Sequence, residues 1–233
     1  MGFDISLSPS KLHKFEECPS CFWNQCNKKL EFRGIMASLP GGLDRVLKGH
    51  YDAYRKDGGA LPPELKGKVP EGTKLYGSLE EIRKFRHWKS NPHKPTIQTK
   101  SGVVSLIMAY DDLLVGPDGI SNLDAKSKGD VPKDDGAKYY QTQLDSYYLA
   151  GLLNGWKMTG VGYLAYYYPQ AYSDGKMQMG CEVFGLKCDR DRVMDLIERA
   201  AACLKGERPA SGSDCEICKF TQLNYREEST NGK

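Results

Sequence analysis

The residues best suited to chemistry lie mid-chain. Asp124 and Lys126 stand two apart in Leu123-Asp124-Ala125-Lys126, and Asp111 stands in Ala109-Tyr110-Asp111-Asp112. Side chains two apart in a strand project from one face, so the 124 carboxylate and the 126 ammonium share a side. Asp111, on the preceding predicted strand, can lie beside them across a hairpin. Converging carboxylates are costly unless a cation neutralises them. Hard oxygen ligands with room for water suit Mg²⁺ or Mn²⁺. Such an ion polarises a phosphoryl oxygen and acidifies a bound water, which is the chemistry of phosphodiester hydrolysis. Lys126 would orient that water and stabilise transition-state charge. By itself a D-x-K is far more often a surface ion pair at the end of an acidic hairpin, so its neighbours decide.

Downstream, Gln143 and Tyr147 are four apart on one helical face, placed to reach a phosphate or an attacking water from above the sheet. Upstream, His50 falls on the apolar face of a helix. It reads either as a core histidine or as a nitrogen ligand to the same cation, with Asp44 and Asp52 as rivals.

Eight cysteines supply a second constellation. Cys18-x-x-Cys21 and Cys215-x-x-Cys218 are two knuckles, and four thiolates can hold a tetrahedral Zn²⁺ or an iron–sulfur cluster. Their separation would clip the two ends of the sequence together, at little more entropy than a short loop costs. Zinc ribbons usually bring their knuckles about 15–20 residues apart, which disfavours an autonomous zinc module. Cys26 is a spare ligand. Cys181, Cys188 and Cys203 sit in element patterns and read as small buried hydrophobes.

The elements that must position these groups follow from capping and periodicity. Ser8 with Pro9 opens a first helix that runs into Cys18-Pro19-Ser20-Cys21. A second helix, about 42–56, carries Leu43, Val46, Leu47, His50, Tyr51 and Tyr54 at helical spacing. The Gly/Pro stretch 57–73 reads as a loop, and Ser78 with Glu81 opens a third helix to about Trp88. Residues 102–115 read as a strand, 116–119 as a turn and 120–127 as its hairpin partner. After a polar loop, 128–136, come a helix from about 137 to 154 closed by Gly155, strands at about 160–168 and 178–187, and a final helix 190–205 capped by Asp189. The order predicts an α/β fold with a mixed sheet.

At 233 residues the chain suits a single domain. No apolar run approaches the ~20 residues of a membrane span, and the first residues lack a signal-peptide pattern. The chain is therefore read as cytoplasmic, with no membrane partner. A net charge of +3 requires any nucleic-acid contact to be a local patch. The stretch from Lys66 to Lys100, rich in Lys and Arg with Tyr76, Phe85 and Trp88 interleaved, is a candidate, and is equally a solvated helix face with its own core aromatics. There is no GxxxxGK[ST] phosphate loop and so no helicase motif.

The succession of His50, AYDDLLV with Asp111, LDAKSKG with Asp124 and Lys126, and QTQLDSYY with Gln143 and Tyr147 resembles the RecB-like branch of the PD-(D/E)XK nucleases. It is especially similar to the CRISPR-associated RecB-like exonuclease family. Met108 stands where that pattern has a glycine, and Asp111 and Asp112 compete for the first acid; Asp111 fits because Leu113 and Leu114 then follow as in the family. The resemblance implies a restriction-endonuclease-like αβββαβ core, a Mg²⁺ or Mn²⁺ ion on His50, Asp111 and Asp124, and Lys126, Gln143 and Tyr147 in the catalytic set. It also implies a structural [4Fe-4S] cluster on Cys18, Cys21, Cys215 and Cys218. The two-plus-two split departs from the family's one-plus-three and keeps zinc open. Residues 1–233 would then form one nuclease domain, with a core at about 42–187 and a metal-cluster region at about 8–30 and 205–225. The implied activity is a deoxyribonuclease, exonucleolytic on single-stranded DNA ends, with a role in antiviral defence. Its alternatives are an endonuclease subunit of a recombination or CRISPR adaptation complex, and a non-catalytic nucleic-acid-binding module clipped by zinc or iron–sulfur.

Overall fold

The computed structural model describes residues 5–30 and 38–221, with the side chains of 134 and 135 left aside. In chain order its elements are β1 (Ile5–Leu7), α1 (Pro9–Glu17), α2 (Pro19–Asn27), α3 (Ser38–Lys56), β2 (Lys74–Leu75), α4 (Leu79–Phe85), β3 (Thr96–Thr99), β4 (Gly102–Leu106), β5 (Asp112–Gly116), β6 (Gly119–Ser127), α5 (Gln141–Leu153), β7 (Val161–Ser173), β8 (Lys176–Lys187) and α6 (Arg190–Lys205). Short 3₁₀ turns lie at Pro63–Leu65 and Asp134–Tyr140. By contacts the chain divides into two compact units. No helix among the described residues is long and apolar enough to cross a membrane.

The larger unit holds Met36–Pro95 and Leu106–Val193. Its sheet runs β2-β5-β6-β7-β8, antiparallel except for the parallel pair β6–β7. Parallel neighbours need a crossover, and α5 supplies it. The order α3, β2, β5, β6, α5, β7 is an αβββαβ succession, with α4, β3 and β4 inserted between β2 and β5. Strand β7 is so rich in aromatic and β-branched residues that it pairs over its whole length with β8. Alternation then sorts the two faces of the sheet. Leu47 and Tyr51 of α3 pack on Leu114, Leu123, Ala165 and Tyr167. Leu144 of α5 packs with Leu164 and Tyr166. With Leu123 facing α3, its neighbour Asp124 must face α5.

The smaller unit gathers three stretches, Met1–Ile35, Thr96–Ser105 and Met194–Lys233. A three-stranded sheet, β1-β4-β3, lies here. Helices α1 and α2 follow each other because Cys18, extended at the junction, ends one helix as Pro19 starts the next. The end of α6 and the residue after it are tied to α2, with Trp23 Nε1 donating to the Gly206 carbonyl at 3.1 Å and Asn27 Nδ2 to that of Leu204 at 3.0 Å.

The predicted caps at Ser8, Ser78 and Asp189 each accept a backbone N–H of the first turn. Helix α6 has the predicted bounds, and Gly155 takes the expected left-handed conformation at φ +77°. Two expectations change. The run 102–115 is not one strand: it divides into β4 and β5, which belong to different sheets. Asp111 accordingly precedes β5 instead of lying on it. The segment around Cys18 and Cys21 is a second helix, α2, where the sequence suggested the running end of the first.

Candidate carboxylate site and four-cysteine group

Within the larger unit, Asp124 projects from β6 beneath α5 with no exposed side-chain surface. One carboxylate oxygen accepts from Gln143 Nε2 at 2.9 Å, and the other meets Lys126 Nζ at 2.5 Å. Gln143 Nε2 also donates to the Tyr147 hydroxyl at 2.9 Å, which in turn donates to the Ala109 carbonyl at 2.8 Å. A chain of hydrogen bonds thus links β6, α5 and the segment before Asp111. Lys126 Nζ lies 4.6 Å from the centroid of the Tyr140 ring, so a cation–π contact also supports the ammonium.

Burial, reinforced by the neighbouring Asp111 carboxylate, pushes the Asp124 pKa up to about 7, and Lys126 opposes the shift only in part. Burial and the same two carboxylates hold the Tyr147 phenol well above its ordinary value, keeping it a neutral donor. The structure therefore brings Asp111, Asp124, Lys126, Gln143 and Tyr147 together. Two carboxylates this close, one of them buried, form a hard-oxygen donor set that fits a divalent ion such as Mg²⁺ or Mn²⁺.

Asp112 is otherwise engaged. Its carboxylate is 1% exposed and is gripped by Arg55, by Arg86 Nη2 at 2.8 Å and by its own neighbour's Leu113 N–H at 2.8 Å. Arg86 also reaches Asp52 at 2.7 Å and, through Nε, the Asp111 carbonyl at 2.8 Å. The adjacent acids divide the labour: Asp112 pins the backbone, and Asp111 is free to face Asp124.

His50 is not brought to this cluster. Its Nε2 lies 2.9 Å from Glu64, which also accepts from Tyr167 at 2.9 Å, and its ring packs on Tyr54 and Tyr51. Nor do the rivals Asp44 and Asp52 complete it as acids, since Asp52 pairs with Arg86 and Asp44 with Lys48. The α3 residue that touches the pair is Lys48, with Nζ 3.1 Å from Asp111 and 2.8 Å from Asp44. His50 and Lys48 are two apart, about 200° around a helix, so only one of them can face Asp111. Sequence reasoning passed over Lys48; the i, i+4 pair Asp44/Lys48 was the available signal, and it reads as ordinary surface charge.

In the smaller unit the sulfurs of Cys18, Cys21, Cys215 and Cys218 all lie within 4.8 Å of one another. Cys18–Cys218, Cys21–Cys215 and Cys21–Cys218 are 3.7, 3.6 and 3.5 Å apart. Gly212 belongs to this cradle, because a Cβ there would meet the Cys18 sulfur at 3.4 Å. Burial alone would raise the Cys18 thiol, but backbone N–H groups of Cys21 and Gly212 outweigh it and bring the thiol down to about 7. Among the described residues this is the one group of three or more His, Cys, Asp or Glu side chains close enough to hold a metal ion. Four thiolates about 2.3 Å from one tetrahedral ion would be about 3.8 Å apart, close to the spacing here. Cys26, Cys181, Cys188 and Cys203 are not part of the group.

No protein-family description matches the chain, and no curated protein does. Solved structures do match. The structure of SSO0001 covers 96% of this chain and 87% of its own at 12% identity, with a TM-score of 0.47. A "Putative exonuclease" from Eubacterium rectale covers 92% of this chain and 87% of its own at 16% identity, with a TM-score of 0.47. At such values the functional reading rests on the side chains.

Proposed function

We propose that the chain is a divalent-metal-dependent nuclease that hydrolyses phosphodiester bonds of DNA, acting as an exonuclease on single-stranded ends. The observation that carries this reading is the convergence of Asp111, buried Asp124 and Lys126 on one point, with Gln143 and Tyr147 closing it from α5. Asp111 and Asp124 would hold Mg²⁺ or Mn²⁺, which when bound supplies a polarised phosphoryl oxygen and an acidified water. Gln143 fixes the rotamer of Asp124 by bonding one of its oxygens, and the other, which Lys126 now meets, would be the ion's donor. Lys126, steadied by the Tyr140 ring, presents a positive charge beside the acids where the phosphate gains negative charge. Tyr147 stays protonated and holds Gln143 in register. The preference for single-stranded ends and the partnership with a CRISPR or recombination complex come from the family resemblance.

Lys126→Ala tests the reading. It should lower Mg²⁺- or Mn²⁺-dependent cleavage of end-labelled single-stranded DNA by about 10²-fold or more while DNA binding in EDTA persists. Circular single-stranded DNA in the same assay separates exonuclease from endonuclease. Wild-type protein that cuts neither substrate with any divalent ion would leave the alternative, a nucleic-acid-binding module.

The cysteine group extends the proposal as a structural metal site, since hydrolysis needs no electron transfer. Its sulfur spacing favours one tetrahedral zinc ion over the [4Fe-4S] cluster implied by resemblance, because a four-iron cluster puts a separate iron behind each thiolate and spreads the sulfurs. Stoichiometric zinc in colourless protein is the expected result; brown protein absorbing near ~400 nm would reinstate iron–sulfur.

A further inference from the structure

Two ammonium groups sit on the carboxylate pair. Lys126 holds Asp124 from the same strand, and Lys48 reaches Asp111 from α3 at 3.1 Å. Each of the two acids has a lysine ammonium on it, so a divalent ion entering between them competes with that positive charge. Lys48 is built to move. Its Nζ already spans to Asp44, 2.8 Å away and one turn back on the same helix. Asp44 is the more exposed of its two partners, 42% against 25%, so its carboxylate costs less to leave paired near water. The lysine stem is long and flexible, and its head is a compact charge with three donors, which lets the ammonium swing between two acceptors without losing a partner.

We propose that Lys48 is the resident counter-ion of Asp111, handed over to Asp44 when a divalent cation takes the carboxylates, and thereby a positioning residue that sets the affinity for that cation. This rests on reading Asp111 and Asp124 as a divalent-metal site. In the metal-free state the ammonium offsets part of the repulsion between the Asp111 and Asp124 carboxylates. With an ion held by the carboxylates, Lys48 would keep its charge on Asp44 and add a positive group for a substrate phosphate.

The test is Mn²⁺ binding to the full chain by titration calorimetry, without nucleic acid. Lys48→Met removes the competing charge and keeps the stem, and should bind Mn²⁺ roughly two- to fivefold more tightly, the range expected of a part-exposed ion pair. Asp44→Asn removes the second seat, leaves the ammonium on Asp111, and should bind it more weakly. Combined, the two should behave like Lys48→Met alone, because Asp44 acts through the lysine. A lysine that merely braces α3 would give equal or weaker binding in Lys48→Met, and that outcome overturns the proposal. Lys48→Gln serves as a second neutral variant should the Met variant fold poorly. Wild-type protein that binds Mn²⁺ and loses it in Asp124→Asn, with Lys48→Met unchanged, sinks the Lys48 role alone. Wild-type protein that binds no Mn²⁺ removes the metal-site reading and this role together.

Discussion

Asp124 is unstable as an isolated anion: it has no exposed side-chain surface, and a second carboxylate lies beside it. Unfolded, it ionises near 3.8; folded, near 7. The folded protein therefore keeps a proton that the unfolded chain has released, and the stability tied to that proton is full below about pH 4 and lost as pH rises through 7. In EDTA, Asp124→Asn should raise the melting temperature more at pH 8 than at pH 5, by a difference equivalent to a few kcal/mol. Equal gains at the two pH values would mean that the carboxyl is not held protonated. Because a divalent ion needs the ionised form, its affinity should climb across the same neutral range, which calorimetry at pH 6 and 8 would read. At this scale the sequence was informative about residue type and offset. Asp124, Lys126, Gln143 and Tyr147 were legible because an i, i+2 strand offset and an i, i+4 helix offset each fix a shared face. In sequence the preference for Asp111 over Asp112 came from resemblance alone. The grip of Arg55 and Arg86 on Asp112, which sets the two acids apart in the fold, depends on residues 57 and 26 positions away. His50 and Lys48 exchanged places for a similar reason: helical phase relative to a distant strand cannot be read from the helix itself.

Among the elements, the β5–β6 hairpin carries the first acid at its mouth and the second on its returning strand. Its register, with Asp112 opposite Leu123 and Gly116 opposite Gly119, is what brings Asp111 level with Asp124. Gly119 closes the turn at φ +137°, and a Cβ there would stand 2.2 Å from the Lys157 carbonyl oxygen, a backbone atom that cannot yield cheaply. Gly119→Ala should lower stability by roughly 1–3 kcal/mol, whereas Gly129→Ala, with nothing within 4 Å, should be nearly neutral. Urea melts of the two variants check this contrast; equal stabilities would mean that the turn tolerates a side chain. The same hairpin shows where pattern reading stops. Residues 107–111 look like strand, yet their backbone groups bond elsewhere. Asn91 donates to the Met108 carbonyl, Tyr147 to that of Ala109 and Arg86 to that of Asp111, while the Tyr110 N–H donates to the Phe85 carbonyl. A continuous apolar run does not reveal where the chain leaves one sheet for another. In the stretch from Lys66 to Lys100, Phe85 is buried, Tyr76 stacks on it and packs tilted against Trp156, and Trp88 is half exposed.

Across the whole molecule, the two constellations found in sequence fall in different compact units, the carboxylates in one and the thiols in the other. The unit with the thiols is assembled from three separate stretches of chain, and Cys21 and Cys215 are 194 positions apart. A metal joining them closes most of the chain into one loop, which restricts the unfolded state far more than the folded one. Cross-links around loops of ~100 residues contribute about 4.7 kcal/mol in the chain-entropy picture, and the value rises only slowly for a longer loop such as this one. With about 2–4 °C per kcal/mol for a chain of this size, stripping the metal with a strong chelator should lower the melting temperature by about 10–20 °C. Re-adding one equivalent of zinc should restore it, and Gly212→Val, which crowds the Cys18 sulfur, should weaken zinc retention in the same measurement. Because the carboxylates lie in the other unit, Mn²⁺ binding at 25 °C should persist in the stripped protein while it remains folded. An unmoved melt after complete chelation would reduce the group to four packed thiols, and loss of Mn²⁺ binding on stripping would show that the two units stand or fall together.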